Sequence, residues 1–521
     1  MRTMRWSYKL LVLSASFVSS TAYAQTAPSA REPARAAAPE PPAKPVHSWF
    51  WRPPLAFSVG EGDQKWTAQI LGFAELDMIT DSTRSFLESI GQGSVARNTN
   101  RNAMTGAITP NQAGQNGRTQ FSARNSRLGV RVIAPTIDGI KPSALVEMDF
   151  MGNQPAATAN ATANSTGGAI SEASLYTSAT FKLRHAYLKL ENDIVNVLAG
   201  QAYDIFGGPD LTFFPSTSEF LAIPNMVIAR TPQLRLWKSL KTDIVDVDLT
   251  VGAMRPPQRD STIPEGQGAL VFKINHWQGI GTPGAGGTGA FPLAIGVSGT
   301  VRAFRVDQLN AANGPGKDTG WGVSVDGFLP VIPAEDSNDR GNKLTVTGSF
   351  TTGSGYGDLF GGLSGGFNGL NINAAPLAPA AGMPLTIPVP ISLQGDSDTG
   401  MVAYDAGGVL HTVNWTTFKA GLQYYLPGGR FFVTGNVSHG QSNNIVSIVT
   451  NGVGNTAPAA RNVWKESLYW DASVFADITA NARLGMTFSR LQQTYGDDGS
   501  SDTSDSIATN NRFRACLYFF F

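Results

Sequence analysis

Arginines alternate with apolar residues in several segments of the chain. In one of them, Arg127 and Arg131 alternate with Leu128 and Val130. Successive side chains of a strand point to opposite faces, so this spacing puts the charges on one face and the apolar groups on the other. A guanidinium stays charged at physiological pH and can hold both oxygens of a carboxylate. These residues therefore predict either ion pairs or a surface that attracts anions.

The same parity assigns further charged side chains to the polar face. Arg184 is ambiguous, because Ala186 and Leu188 share its face, and Arg230 comes shortly before Arg235. The predicted set consists of Arg127, Arg131, Arg184, Arg230, Arg235, Arg302, Arg512, Arg514, Glu147 and Asp149. Two interpretations stay open and are compatible. Arginines and carboxylates of neighbouring strands can brace the wall, or the arginines can form a positive stripe that selects anions.

The last ten residues show what kind of element carries these charges. Phe513, Leu517 and Phe519 fall on one face, whereas Arg512 and Arg514 fall on the other. A strand with one apolar and one polar face fits between lipid and a water-filled interior. A final strand that ends in aromatics, here Phe519 and Phe521, resembles the assembly signal of bacterial outer-membrane barrels. Cys516 stands where that pattern usually has glycine. The resemblance implies the barrel assembly machinery and outer-membrane lipid as partners.

The other end of the chain predicts export. Residues 1–24 have a basic start, an apolar stretch and the site Ala22-Tyr23-Ala24, which together indicate a secretory signal peptide. Residues 25–65 are predicted as an Ala/Pro-rich leader, and residues 66–521 as the barrel. No other stretch approaches the ~18 consecutive apolar residues of a membrane helix. The expected location is the bacterial outer membrane.

Alternating segments from residue 66 onward predict an all-β fold, a transmembrane antiparallel β-barrel of about sixteen strands. Short connections alternate with long ones rich in Gly, Ser and Asn, which places the short turns on the periplasmic side and the long loops outside. Two predicted inner turns, 278–292 and 331–342, are unusually long for that side. They are the places where the strand count is most open.

Composition bears on other classes of function. The formal net charge is zero, so no nucleic-acid partner is predicted. One cysteine and five scattered histidines show no metal-ligand spacing, and no recognisable catalytic motif contains a histidine. We therefore predict no enzyme activity, no catalytic residue, no metal and no cofactor. A structural or adhesive barrel and a barrel enzyme remain the alternatives.

Six motifs occur in an order that resembles the DcaP-type trimeric outer-membrane porins. They are GFAELDMI (72–79), NSRLGVR (125–131), EMDF (147–150), LRHAYLKL (183–190), AGQAYDIFGG (199–208) and ARTPQLRLW (229–237). The resemblance implies a homotrimer of sixteen-stranded barrels that passes small anionic solutes such as dicarboxylates. Those porins typically carry an N-terminal coiled coil, which the Pro-rich leader, lacking heptads, does not predict here.

In porins the loop between the fifth and sixth strands often folds inward and narrows the pore. The corresponding segment is 207–229, with the candidate constriction residues Asp210, Phe213, Phe214 and Glu219. Its apolar residues need cover, which the barrel interior or a trimer interface would supply. The sequence thus predicts an outer-membrane porin for passive diffusion of small, preferably anionic (carboxylate) solutes.

Overall fold

The computed structural model describes residues 55–91, 93–101, 107–152, 179–208, 217, 223–257, 261, 263–282, 289–306, 316–359, 363, 400–404, 409–450, 463–496 and 506–521. The predicted signal peptide and most of the leader lie outside these residues. Among the described residues, no helix is long and apolar enough to cross a membrane.

Strands make up nearly all of the regular structure. They are β1 (Leu55–Val59), β2 (Trp66–Asp81), β3 (Thr99–Arg101), β4 (Ile108–Pro110), β5 (Arg118–Ser122), β6 (Arg127–Ile133), β7 (Lys141–Gly152), β8 (Thr180–Glu191), β9 (Asn196–Tyr203), β10 (Arg230–Leu240), β11 (Val245–Met254), β12 (Glu265–Gly281), β13 (Gly289–Val306), β14 (Gly316–Ile332), β15 (Lys343–Ser354), β16 (Val402–Tyr404), β17 (Leu410–Thr412), β18 (Asn414–Tyr425), β19 (Phe431–Gln441), β20 (Trp464–Asp477), β21 (Ala482–Tyr495) and β22 (Ile507–Phe520). In the described part of the chain, the short α-helices α1 (Gln112–Gln115) and α2 (Ile445–Thr450) lie in connections.

The main sheet closes on itself as an antiparallel barrel. Both β5 and β6 pair with β2 on one side, and β22 pairs with β2 on the other. If β2 is counted as the first position and β5 with β6 as the second, the ring has sixteen positions. The predicted fold class and strand number are confirmed. The short turns and the C-terminus share one end, which we call the inner end; the long loops leave from the outer end.

Alternation along the strands explains why the barrel forms. In β20, Leu468, Trp470 and Val474 are exposed, whereas Tyr469 and Asp471 are buried. Apolar side chains thus cover the outer wall, where lipid is their solvent, and polar or aromatic side chains fill the interior. A charge on the outer face at mid-bilayer would cost about 2–4 kcal/mol for Arg or Lys, which keeps the register fixed.

Two local irregularities re-aim charged side chains. Strands β5 and β6 are separated by a break in the pairing with β2, where Asn125 donates to Glu75 (2.7 Å) and Ser126 accepts from the Glu75 amide (3.0 Å). In β8, Glu147 lies opposite His185 and Met148 lies opposite Leu183, which leaves Arg184 as the extra residue of a β-bulge. Arg184 and His185 are consequently both buried. The bulge resolves the parity that the sequence left ambiguous.

The barrel closes at its C-terminus on a glycine. Gly72 and Phe521 exchange two backbone hydrogen bonds of 3.2 and 3.1 Å. A Cβ on Gly72 would stand 2.2 Å from the Arg127 carbonyl oxygen and 3.0 Å from the Phe521 ring. Strand β1 pairs with Trp66–Ile70 of β2, while β6 occupies the other edge of these residues from Thr67 on. Strand β1 therefore continues the line of β22 beyond Phe521. It lies inside the segment 25–65 that the composition predicts to be a leader. Its exposed apolar residues Leu55, Phe57 and Val59 extend the outer face of the barrel.

We expect Gly72→Val, and deletion of Phe521, to lower the fraction of chain that reaches the folded barrel. Valine has no room beside the Arg127 carbonyl, and the deletion removes the ring and both hydrogen bonds at the seam. The measurement is the heat-modifiable shift of membrane-extracted protein on a denaturing gel. Gly327→Ala is the matched control, since a Cβ there meets nothing within 4 Å. Wild-type amounts of folded barrel in both variants would contradict a role of this seam in assembly.

Candidate functional site

The bulged arginine lies at the centre of a charged cluster on β6 to β10. Arg184 Nε is 2.6 Å from Glu147 Oε1, and its Nη1 is 3.0 Å from Asp149 Oδ2. Its Nη2 also donates to the Tyr203 hydroxyl (3.3 Å), and Arg230 Nη1 donates to the same oxygen (3.2 Å). Ion pairs between Arg184 of β8 and the two carboxylates of β7 thus join these neighbouring strands. Glu147 and Asp149, which the sequence predicts to line the pore, therefore compensate the charge of Arg184.

Arg127 lies beside this cluster. Its guanidinium stands 5.2 Å from the centre of the Phe73 ring, and the side chain is buried. Arg127, Arg184 and Arg230 together carry three positive charges against the two of Glu147 and Asp149. Because Arg127 is only 5% exposed, its charge contributes to the field of this wall and not to direct contact with solutes.

Arg302, a predicted pore-lining residue, is enclosed instead. It is 2% exposed, and its Nε donates to Glu265 (2.8 Å) and its Nη2 to Asp358 (2.7 Å). Its Nη1 also donates to the Gly355 carbonyl (2.9 Å). Alternation along β13 correctly predicts that Arg302 faces the interior. Residues 355–359 cover this side chain, which alternation cannot predict. The geometry gives Arg302 the role of an anchor for residues 355–359.

Arg131 and Arg235 contrast with these paired arginines. In the part of the chain that the structure describes, no carboxylate lies within ion-pair distance of either side chain. Arg131 is exposed to the lumen, and Arg235 is half-buried and donates to Gln233 (2.9 Å) and to the Tyr203 carbonyl. Leu145 is the cross-strand partner of both Arg131 and Tyr187, and Leu198 is the partner of Arg235. The two arginines therefore flank one stretch of inner wall across β6 to β10.

The opposite part of the interior is filled by loops. A core of buried apolar side chains joins four outer connections to the wall, and its members include Phe86, Ile90, Ile223, Met226, Val227, Leu359, Ile445, Trp415, Trp464 and Tyr469. Asn225 Nδ2 donates to Ser438 Oγ and to the Ser467 carbonyl (3.3 Å each), and Ser438 Oγ donates to the Pro224 carbonyl (2.6 Å). The connection starts at the fifth and returns at the sixth ring position, yet Ser438 and Ser467 lie at positions thirteen and fourteen. Its described part thus crosses the lumen.

The predicted constriction residues Asp210, Phe213, Phe214 and Glu219 lie outside the described residues, so their role stays a prediction. The assembly-signal residue Phe519 is exposed on the outer face. Aromatic residues of the interior, such as Trp415 and Trp464, were missed as a group. The signal was available, since each alternates with neighbours that face outward. No group of three or more His, Cys, Asp or Glu side chains is placed to hold a metal ion among the residues described here.

Comparison with known proteins finds the fold but no sequence family. No family model matches the chain, and no curated protein matches it. The outer membrane channel DcaP of Acinetobacter baumannii is similar in structure, with a TM-score of 0.55, 13% identity, and coverage of 88% of this chain and 97% of that chain. An anion-selective porin from Comamonas acidovorans (TM-score 0.43, 9% identity, 88% and 100% coverage) and the outer membrane protein OmpT of Vibrio cholerae (0.43, 9%, 89% and 99%) also match. The resemblance to DcaP is thus confirmed at the level of the fold, which is that of a barrel in the bacterial outer membrane.

Proposed function

We propose that this protein is a homotrimeric outer-membrane porin through which small solutes, preferably carboxylate anions, diffuse passively. One observation carries the proposal. Arg131 and Arg235 have no carboxylate within ion-pair distance among the described residues, whereas Arg184 and Arg302 are held in ion pairs. The two side chains present positive charge to the part of the lumen that the outer loops do not fill. Glu147 and Asp149 are already engaged by Arg184, so they do not cancel this charge.

The physical effect is local, because the net charge of the chain is zero. Two unit charges 4 Å apart attract by about 1 kcal/mol even at the dielectric constant of water, which enriches an ion roughly fivefold. Rings and rows of charged side chains set the selectivity of pores in this way. A guanidinium also offers two parallel donors to a carboxylate, which favours this anion over a spherical one. Tyr187 lies between the two arginines along the wall and adds a hydroxyl donor.

The homotrimer is the part of the proposal that rests on the six motifs between 72 and 237 alone. The exposed apolar outer wall is equally suited to lipid and to a neighbouring barrel, so it does not decide between them. Native mass measurement on protein extracted in mild detergent gives the number of chains.

The test of function is the reversal potential in a planar bilayer under a salt gradient. Wild type is expected to favour the anion, and Arg131→Gln with Arg235→Gln is expected to reduce the anion-to-cation permeability ratio roughly five- to thirtyfold, since about 1 kcal/mol is removed for each of the two charges that a passing ion meets. Lys65→Gln with Lys241→Gln is the matched control, because it removes the same charge from exposed positions at the inner end. A wild type that conducts no ions would overturn the porin function. Cation preference would overturn only the anionic part.

Swelling of liposomes in a panel of carboxylic acids then identifies the solute class. The double variant is expected to lose most of its advantage for acids with two carboxylates, because two separated arginines can hold them at once.

A further inference from the structure

We propose that the described arms of the hairpin between β12 and β13, residues 274–282 and 289–293, form a second constriction at the inner mouth, which confines the outlet to the wall of β6 to β11. This inference rests on the proposed function only in that the barrel must conduct. It concerns the opposite end of the pore from the loop that crosses the lumen, and it is carried by described residues at the base of the hairpin.

A break in pairing bends the hairpin away from its own wall. Ile274 pairs with Leu293, but the next pair is Gln278 with Pro292. Residues 275–277 of β12 thus have no pairing partner in β13, and an insertion of this kind bends a strand. The inner turns at 192–195 and 478–481, by contrast, join strands that pair without a shift beside the turn, and they reverse the chain directly.

Beyond the bend, the hairpin contacts strands far around the ring. The Ile280 carbonyl accepts hydrogen bonds from Thr345 Oγ1 (2.8 Å) and Gln423 Nε2 (3.0 Å), and Thr282 Oγ1 lies 2.9 Å from the Tyr425 hydroxyl. Strand β12 is the eighth ring position, whereas β15 and β18 are the eleventh and twelfth. The hairpin reaches them across the interior, because Thr345, Gln423 and Tyr425 are inward-facing, buried residues.

The Ile280 side chain completes an apolar layer inside the inner mouth. It is 1% exposed and clusters with Tyr425, Phe432 and Phe475. The three rings are stacked, with centroids 4.6 Å and 4.5 Å apart, and they project inward from β18, β19 and β20. Residues 280–282 are therefore packed into the interior of the barrel.

The second long inner turn holds the first in place. The Ala334 amide donates to the Gln278 carbonyl (2.8 Å), and Trp277 Nε1 donates to the Pro330 carbonyl (2.6 Å). Arg340, in the same turn, lies 3.6 Å from Asp477 at the end of β20. The two turns that are long for the inner side thus form one brace from β12 to β20.

The remaining opening lies along the other wall. At the level of the brace, the inward charged residues of β6 to β11 are at least partly accessible, and they include Arg131, Lys189, Asp246 and Asp248. Water and ions reach these side chains, whereas the wall from β12 to β20 is covered. A solute that leaves through the inner mouth must therefore pass close to Arg131.

Shortening the hairpin tests the proposal. A variant in which residues 279–290 are replaced by Asn-Gly is expected to raise single-channel conductance roughly 1.5- to 2-fold, with the sign of the ion selectivity retained, because pore width is changed and the arginines are not. Neutral polymers of graded size, added to one side at a time, should enter farther from the inner side of the shortened channel and equally far from the outer side. Unchanged conductance and polymer access in a folded variant would overturn the inference.

A point variant decides the outcome if the shortened chain does not fold. Ile280→Asn keeps the hairpin length but buries an amide among three aromatic rings, which loosens the contact. Increased current noise with higher mean conductance is expected. Ile137→Asn is the matched control, since this isoleucine is exposed in a short inner turn. A quiet Ile280→Asn channel of wild-type conductance would overturn the inference. A wild type that does not conduct would instead overturn the proposed function.

Discussion

Replacement of Arg514 by methionine is expected to destabilise the barrel by about 3–5 kcal/mol, which is the usual cost of removing one partner from a buried ion pair. Arg514 Nε donates to Asp77 (2.8 Å), and its Nη2 donates to Glu75 (2.6 Å). The side chains of Arg514, Glu75 and Asp77 are all inaccessible to solvent. Methionine fills a similar volume but leaves two carboxylates without their cation, at the seam where β2 and β22 close the barrel.

The measurement is urea-induced unfolding of barrels reconstituted in lipid, followed by tryptophan fluorescence. Arg131→Met is the control, because this side chain is exposed, makes no ion pair in the described part of the chain, and should change stability by less than about 0.5 kcal/mol. Adding Asp77→Asn to Arg514→Met should recover part of the loss, since one uncompensated charge disappears. Equal stability of wild type and Arg514→Met would show that water reaches this seam.

Alternation was sufficient to predict which side chains face the interior of the barrel, but not which side chains they pair with. Arg512 and Arg514 were assigned to the interior from alternation alone, and both are fully buried there. Their carboxylates, Asp81 and Asp77, lie more than four hundred residues away along the chain. Only the closure of the sheet brings them together, and no periodicity in one segment contains that information.

Features that interrupt the alternation were the least predictable. Arg184 is inward because a bulge shifts the parity of β8 between Leu183 and His185, and a single inserted residue leaves no compositional trace. The length of segment 278–292 was evident, but not that its base folds into the barrel. That direction depends on the cluster of Ile280 with Tyr425, Phe432 and Phe475. Whether an inward arginine is open or enclosed depends likewise on loops, which is why Arg235 and Arg302 looked equivalent in sequence.

Arg302→Gln is expected to disturb the loops inside the pore while leaving the sign of ion selectivity unchanged. Arg302 binds Asp358 and the Gly355 carbonyl from the wall, together with Glu265. The Leu359 carbonyl in turn accepts a hydrogen bond from the Ile228 amide (2.9 Å), in the connection that crosses the lumen. Loss of the guanidinium leaves the buried Glu265 and the partly buried Asp358 without their cation, at a cost of about 3–5 kcal/mol, which displacement of residues 355–359 relieves.

The displacement should appear in single-channel records as frequent partial closures and added current noise. Asp358→Asn in the Arg302→Gln background should restore part of the quiet current, because it removes one of the two stranded charges. Arg235→Gln is the matched comparison, since it removes an arginine that makes no ion pair among the described residues. If Arg302→Gln stays quiet but lowers anion preference as strongly as Arg235→Gln does, then the Arg302 guanidinium meets the solute directly, and the loop contacts at Asp358 and Gly355 open in the conducting channel.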